Sequence, residues 1–372
     1  MKTTRLTIIL TGFFWAAIVA TAQAGNWTEF AVYPSSENQS SPDIYGDIVV
    51  WEQLTQWDYD VHGADISDRQ SPSEFVIADF NDDQRSPAIY EYVVTWQDYV
   101  ETDWDIWAAD IYDQNQPWYF AISEYVDVNE QGPAISGDTV VFDSDYFGDW
   151  DVFGADIFDP CWPALFLVAA YEGTQQNAAV YQNTVLWQGD DFEDWDIFAA
   201  DIWRKSMPEE YVVSQVAQNQ ENPAVYGNVV VWQDDYSGNW DIYASVGSVE
   251  YAVSTGQWSS TNPDIYGNIV VWQDDRNGNW DIYGFNLTTE EEFRITDNEY
   301  NQENPAIHGN VVVWQDNRDG PWNIYSVVLD GPEVVECLWH VPGDLNGDCI
   351  VNFRDLAVLG NSWLVSGLEP GQ

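Results

Sequence analysis

Residues 344–355 read Asp-Leu-Asn-Gly-Asp-Cys-Ile-Val-Asn-Phe-Arg-Asp, a run that places oxygen donors at alternating positions. Asp344, Asn346, Asp348, the carbonyl of Ile350, Asn352 and Asp355 fall at the first, third, fifth, seventh, ninth and twelfth places of a loop. That spacing wraps a hard cation, so the sequence predicts a Ca2+ site, with residues 356–364 as the helix leaving it. Cys349 stands where a glycine usually eases the sharp turn, and only one copy of the loop is present. An Asp/Asn-rich turn capping a helix without metal is the structural alternative.

A second set of candidates is an amide three residues before the proline of a recurring Pro-Ala-Val-Tyr segment. It occurs as Gln39, Gln84, Gln220 and Gln302, and as Gln175 where Ala178 replaces the proline. Two explanations remain open: a polar ring facing a ligand, or hydrogen bonding within the loops. Groups for nucleophilic or cationic catalysis are scarce. The three histidines, His62, His308 and His340, have no metal-triad spacing, Lys205 is the only lysine after residue 24, and no Gly-x-Ser-x-Gly elbow occurs. Paired carboxylates for glycoside chemistry are uninformative, because 63 acidic residues guarantee chance pairs.

The elements that must position these groups are set by a repeat. Its closing aromatic falls at Trp51, Trp96, Phe142, Trp187, Trp232, Trp272 and Trp314, a period of 40 to 46 residues. Each unit contains a short inner strand, a Gly-Asn-type turn, a β-branched strand ending in the aromatic, a Gly/Asp-rich turn, a third strand and a fourth. A period of this length built from short strands predicts an all-β, seven-bladed β-propeller of four-stranded antiparallel blades. Six fourth strands lie between seven copies, so residues 28–33 are expected to complete the last blade and remove two open edges; residues 332–339 compete for that place.

Position within the repeat also assigns roles. Blades packing face to face need bulky apolar side chains, so the closing aromatics are expected to be packing residues, as is the Trp before Asp-Ile, despite the sugar-stacking surface that tryptophan offers. The Asp after that Trp (Asp105, Asp151, Asp196, Asp241 and Asp281, with Asp60 in a looser copy and Asn323 in the last) is expected to fix its hairpin by accepting backbone N–H bonds.

Acidic residues outnumber Lys and Arg by 63 to 10, for a formal charge of −53. Nucleic acid and anionic membranes are thereby disfavoured as partners. Residues 1–24 carry Lys2, Arg5, an apolar core and Ala-Gln-Ala before Gly25, the pattern of a secretory signal. No later apolar run reaches the roughly 18 residues of a membrane span, so no membrane insertion is expected. The expected organisation is a signal (1–24), a propeller (25–335) and a small C-terminal calcium loop–helix module (336–372), exported to the periplasm, the cell surface or the medium. In such a compartment Cys337 and Cys349 are candidates for a clip that leaves Cys161 unpaired, although spacing does not fix the connectivity.

Two family resemblances follow from these residues. Asp275-Arg-Asn-Gly-Asn-Trp-Asp-Ile-Tyr283 resembles the Asp-Arg-x-Gly-Asn-x-Asp-Ile-Tyr signature of TolB-type propeller repeats, more loosely over about residues 41 to 329, although Ile-Tyr-Gly-Asn replaces the usual Trp-Ser-Pro-Asp-Gly. The loop at Asp344 resembles a dockerin type I repeat, which implies Ca2+ and a cohesin-like or cell-surface protein partner. Dockerins normally pair two such segments, and this chain has one. Together the resemblances imply a secreted, non-catalytic binding or scaffold propeller attached through a calcium-binding module, with a polysaccharide as the possible ligand. The alternatives are a polysaccharide lyase or glycoside hydrolase using channel carboxylates, and a purely structural cell-surface protein.

Overall fold

The computed structural model describes residues 27–190, 194–247 and 249–329. The calcium-loop residues Asp344, Asn346, Asp348, Ile350, Asn352 and Asp355, the cysteines Cys337 and Cys349, and His340 lie outside the described residues. So do the leader and the rival closing segment 332–339. Cys161 is free and exposed.

Seven four-stranded antiparallel sheets are formed, each from strands consecutive in sequence except the last. Their inner strands are Gln39–Tyr45, Gln84–Tyr90, Glu130–Ser136, Gln175–Tyr181, Gln220–Tyr226, Ser260–Tyr266 and Gln302–His308, which begin blades 1 to 7. The outermost strand of blade 7 is Phe30–Ala31, paired antiparallel with Asn323–Val328 through Phe30↔Ser326 and Ala31↔Tyr325. The N-terminal segment thus closes the ring as the strand count requires, over two residues.

Each sheet forms because its second strand alternates or runs together β-branched residues, such as Val229–Asp234 and Val311–Asp316. The closing aromatics are fully buried: Trp51, Trp96, Trp187, Trp232, Trp272 and Trp314 have no exposure and Phe142 almost none. Each faces a ring on the third strand, as in Trp187 against Phe198 at 6.1 Å and Trp272 against Tyr283 at 6.3 Å. Every apolar cluster spans two neighbouring blades; one joins Val49, Trp51 and Ala64 of blade 1 to Val313 and Ile324 of blade 7. Packing is the role of these residues.

A hydrogen-bond ring sets the blades in register. Six inner strands bulge at the residue before the proline and one at Asn177, before Ala178. All seven take a left-handed φ: Ser41, Ser86, Gly132, Asn177, Asn222, Asn262 and Asn304, at 51° to 59°. The bulge turns that residue's N–H away from its own sheet, and a side chain of the preceding blade accepts it. The acceptors are Gln315 for Ser41 (3.4 Å), Glu52 for Ser86 (3.1 Å), Gln97 for Gly132 (3.0 Å) and Asp143 for Asn177 (2.9 Å). Gln188, Gln233 and Gln273 serve Asn222 (3.0 Å), Asn262 (3.0 Å) and Asn304 (2.8 Å). Gln188 also accepts from Asn177 Nδ2 of its own blade at 2.9 Å, so Gln188→Ala strands two donors. Unmet donors of this kind cost about 1–3 kcal/mol, and urea unfolding of the variant is expected to show a loss of that size. An unchanged midpoint would show that solvent replaces the contact.

Candidate functional site

The inner strands line a central channel whose two mouths differ in chemistry. At the end where these strands begin, the seven bulged residues with the six prolines and Ala178 that follow them enclose a depression of about 430 Å3. Amides run around more than half of this rim: Asn177 Nδ2 donates to Asn222 Oδ1 at 3.1 Å, Asn222 to Asn262 at 2.9 Å and Asn262 to Asn304 at 2.7 Å. Left-handed backbone is tolerated by asparagine and glycine better than by other residues, which explains why they dominate here. The result is an uncharged ring of amide, hydroxyl and peptide groups.

At the opposite end the inner strands finish in a collar of rings. Tyr45 meets Tyr90 at 4.8 Å and His308 at 4.3 Å; Tyr266 meets His308 at 4.5 Å and Tyr226 at 4.6 Å; Tyr226 meets Tyr181 at 4.7 Å. Blade 3 has Ser136 in this position, which leaves a gap between Tyr90 and Tyr181. His308 Nδ1 accepts the N–H of Gly46 at 3.1 Å, and burial pushes its pKa down to about 4, so the ring is neutral at physiological pH.

The channel cavity, about 330 Å3, is walled by small aliphatic side chains and by the collar residues themselves, and it carries two carboxyl groups, Asp43 of blade 1 and Asp264 of blade 6. Alanine occupies this place in the other five blades. Asp43 Oδ2 accepts from Ile89 N and Asp264 Oδ2 from Ile307 N, both at 2.8 Å, so each carboxylate ties its blade to the next. Burial raises Asp43 to about 6 and Asp264 to about 7.

The five glutamines singled out by sequence do not face the channel. Gln39, Gln84, Gln175, Gln220 and Gln302 are all fully buried, and their amides bond inside the protein. Gln39 donates to Tyr33 O and to Gln53 Oε1, both at 3.0 Å, and accepts from Ile324 N at 3.0 Å. Gln84 and Gln220 accept from Phe80 N and Val216 N and donate to Asp82 O and Gln218 O. Gln175 accepts from Tyr171 N, and Gln302 donates to Tyr300 O. The polar ring at the mouth is instead made two residues further along each strand. Its sequence signal is an Asn-Pro dipeptide whose asparagine precedes a Val-Val-Trp-Gln glutamine by 11 residues, as in Asn222 and Gln233. His62 and His308 are not brought together: His62 stacks on Trp51 at 6.1 Å and bonds Glu74 at 2.7 Å within blade 1. Among the described residues, no group of three or more His, Cys, Asp or Glu is arranged to hold a metal ion.

The position of the Asp that follows the Trp, held by Asp60 after a Tyr in blade 1 and by Asn323 in blade 7, is buried in every blade; Asp241 accepts Ser237 Oγ within its hairpin at 2.7 Å and Gly256 N beyond the fourth strand at 3.2 Å. Burial without a cation raises several of these acids, Asp105 to about 7 and Asp151 to about 6.

The chain matches solved structures of β-propellers. A puromycin-hydrolysing peptidase from Mycobacterium tuberculosis matches with TM-score 0.62 and 12% identity, over 82% of this chain and 54% of that one. The propeller domain of the Trilobed protease from Pyrococcus furiosus matches with TM-score 0.58 and 12% identity, over 82% of this chain and 98% of that one. TolB from Acinetobacter baumannii matches with TM-score 0.45 and 11% identity, over 78% and 81%. Further puromycin hydrolases and acylaminoacyl peptidases match in the same way, and the chain spans about half of their length. No family model and no curated protein matches the sequence. The likeness shows the β-propeller fold, of which this chain forms seven blades. The expected function is corrected by the same comparisons: the puromycin-hydrolysing and acylaminoacyl enzymes among the matches are peptidases, and none of the matches named is a non-catalytic polysaccharide scaffold or a polysaccharide-degrading enzyme.

Glu130 occupies the position held by Gln39 and its equivalents, with Ser123 Oγ donating to Oε1 at 2.6 Å and Oε2 buried without a partner. Burial, with Asp105 and Asp103 nearby, pushes its pKa from 4.5 up to about 8. Between those values the folded chain holds a proton that the unfolded chain has lost, so stability falls as pH rises through this window. Glu130→Gln restores the amide that five other blades carry. It is expected to raise stability near pH 8 by roughly 1–3 kcal/mol and to leave it unchanged near pH 4, as read from thermal midpoints.

Proposed function

We propose that this chain is a propeller of the kind carried by peptidases and that its asparagine-lined mouth receives an extended segment of polypeptide. The observation carrying this is the ring from Ser41 to Asn304, uncharged, with its asparagine donors largely spent inside the protein and its oxygens left to accept, standing over a channel of small aliphatic and tyrosine side chains. Peptide backbone presents N–H donors at regular intervals, so a ring of amide and hydroxyl oxygens on rigid bulges matches it without selecting a side chain. The narrowing to a tyrosine collar favours a single extended strand over folded protein. The likeness in fold to puromycin-hydrolysing and acylaminoacyl peptidases supports the same class of ligand.

Fluorescence anisotropy with unstructured, uncharged peptides carrying a photoreactive label tests this reading. Retention of peptide, cross-links to the Asn222–Pro223 and Asn262–Pro263 loops, and roughly tenfold weaker binding by Asn262→Leu are expected, about 1.4 kcal/mol. Cross-links confined to the outer strands, or no retention, would reject it.

We further propose that residues 344–355 bind one Ca2+, supported by the alternation of oxygen donors from Asp344 to Asp355. Titration of chelator-treated full-length chain with Ca2+ is expected to show one binding event that Asp344→Ala with Asp348→Ala removes. The absence of any binding heat with the unaltered chain would dismiss the site.

A further inference from the structure

Blade 1 holds a cavity of about 600 Å3 on the face of the asparagine ring, away from the channel, where the turn between its second and third strands meets the crossing to blade 2. Asp58, Asp60 and Asp79 line it together with the rings of Trp57 and Phe80. Asp60 is only 4% exposed, yet its Oδ1 has no hydrogen-bond partner. A buried carboxylate oxygen left unmet is destabilising unless a proton or a ligand answers it.

Blade 6 shows one group that answers such a carboxylate. Asp60 pairs with Gln53 across its hairpin as Asp281 pairs with Asp274 in blade 6, so the two aspartates are equivalent. In blade 6 the carboxylate is answered from within: Arg294 donates to Asp281 Oδ2 at 2.8 Å and Asn277 Nδ2 to the same oxygen at 2.7 Å. Arg294 stands opposite Tyr283 on the outer strand, and the residue in that register in blade 1, opposite His62, is Val76. Blade 6 is the one blade with a guanidinium in this register, and blade 1 keeps the acceptor without it.

No other cation takes its place among the described residues. Arg85, the nearest candidate, bonds Asp83 at 3.3 Å and lies over the Tyr59 ring at 3.7 Å. Burial together with Asp79 and Asp58 raises Asp60 to about 7, as expected of a carboxylate among like charges. A metal ion is disfavoured, since these groups do not converge with ligand geometry. Two aromatic walls, one of them the 84% exposed Trp57, suit a flat organic cation instead.

We propose that this cavity binds a guanidinium group supplied from outside the chain, such as an arginine side chain, with Asp60 as its main acceptor and Trp57 and Phe80 as its walls. The site goes beyond the channel proposal and stands whether or not peptides enter the ring. Its test therefore uses a small probe that needs no channel. N-acetyl-arginine amide and the corresponding citrulline amide, which has the shape without the charge, are titrated into the full chain near pH 8 with ligand-observed NMR.

The arginine derivative is expected to bind at least tenfold more tightly than the citrulline derivative. Asp60→Asn is expected to remove that difference. Val76→Arg, which rebuilds the internal pair of blade 6, is expected to abolish binding and raise the thermal midpoint. Equal binding of the two probes by the unaltered chain would overturn the proposal. So would a Val76→Arg protein that is folded and still binds, and this variant decides the matter even if Asp60→Asn fails to fold.

Discussion

A side-chain oxygen on one blade accepting a backbone N–H from the next is the contact on which the disc depends. Burying tryptophan between sheets draws neighbouring blades together, but that force has no direction and tolerates sliding. The bulge at each inner strand removes one N–H from its own ladder, and a buried donor without a partner is costly. In all seven blades the preceding blade supplies the acceptor, so each inner strand is registered by its neighbour. The bond from Ser41 to Gln315 closes this dependence around the ring, just as Phe30–Ala31 closes the last sheet.

The same bulges build the channel mouth, which links architecture to binding without extra parts. Asn222 illustrates the economy of the arrangement: its N–H answers Gln188, its Nδ2 answers Gln233 and Asn262, and its Oδ1 receives Asn177. Stability and the presentation of amides to a ligand therefore share residues. Electrostatics, in contrast, divides the disc. Arg276, Arg294 and Arg318 neutralise buried aspartates in blades 6 and 7, whereas blades 1 to 3 leave theirs to protonation or to an external cation.

The architecture was legible because period and pattern are global properties: seven aromatics at near-constant spacing define seven sheets, and counting fourth strands identifies residues 28–33 as the closure. The faces of single residues were less so. In a regular strand side chains alternate, and counting back from the proline would send Gln39 and its equivalents toward the axis. The bulge between Ser40 and Asp43 shifts that register, turns Gln39 inward and gives the rim to Ser41. A backbone bulge has no strong signal in one sequence, although the recurrence of Asn-Pro is a trace of it. Function was misjudged for another reason. The sharpest motif, at Asp344, lies outside the propeller, and its associations say nothing of what the channel holds.

Blade 3 departs from its neighbours at every ring position at once. Glu130 replaces the buried glutamine, Gly132 the bulged asparagine or serine, Ser136 the collar tyrosine, Phe142 the packing tryptophan and Asp143 the stapling glutamine. Four of these five changes shorten the side chain. The shorter acceptor still meets the next blade: Asp143 Oδ2 accepts Asn177 N at 2.9 Å. A single blade thus lacks both the rim side chain, at Gly132, and the collar ring, at Ser136, whose hydroxyl instead accepts Gln182 N of blade 4 at 3.0 Å. The sevenfold frame is thereby given a direction, because its rim and its collar are both interrupted at the same blade.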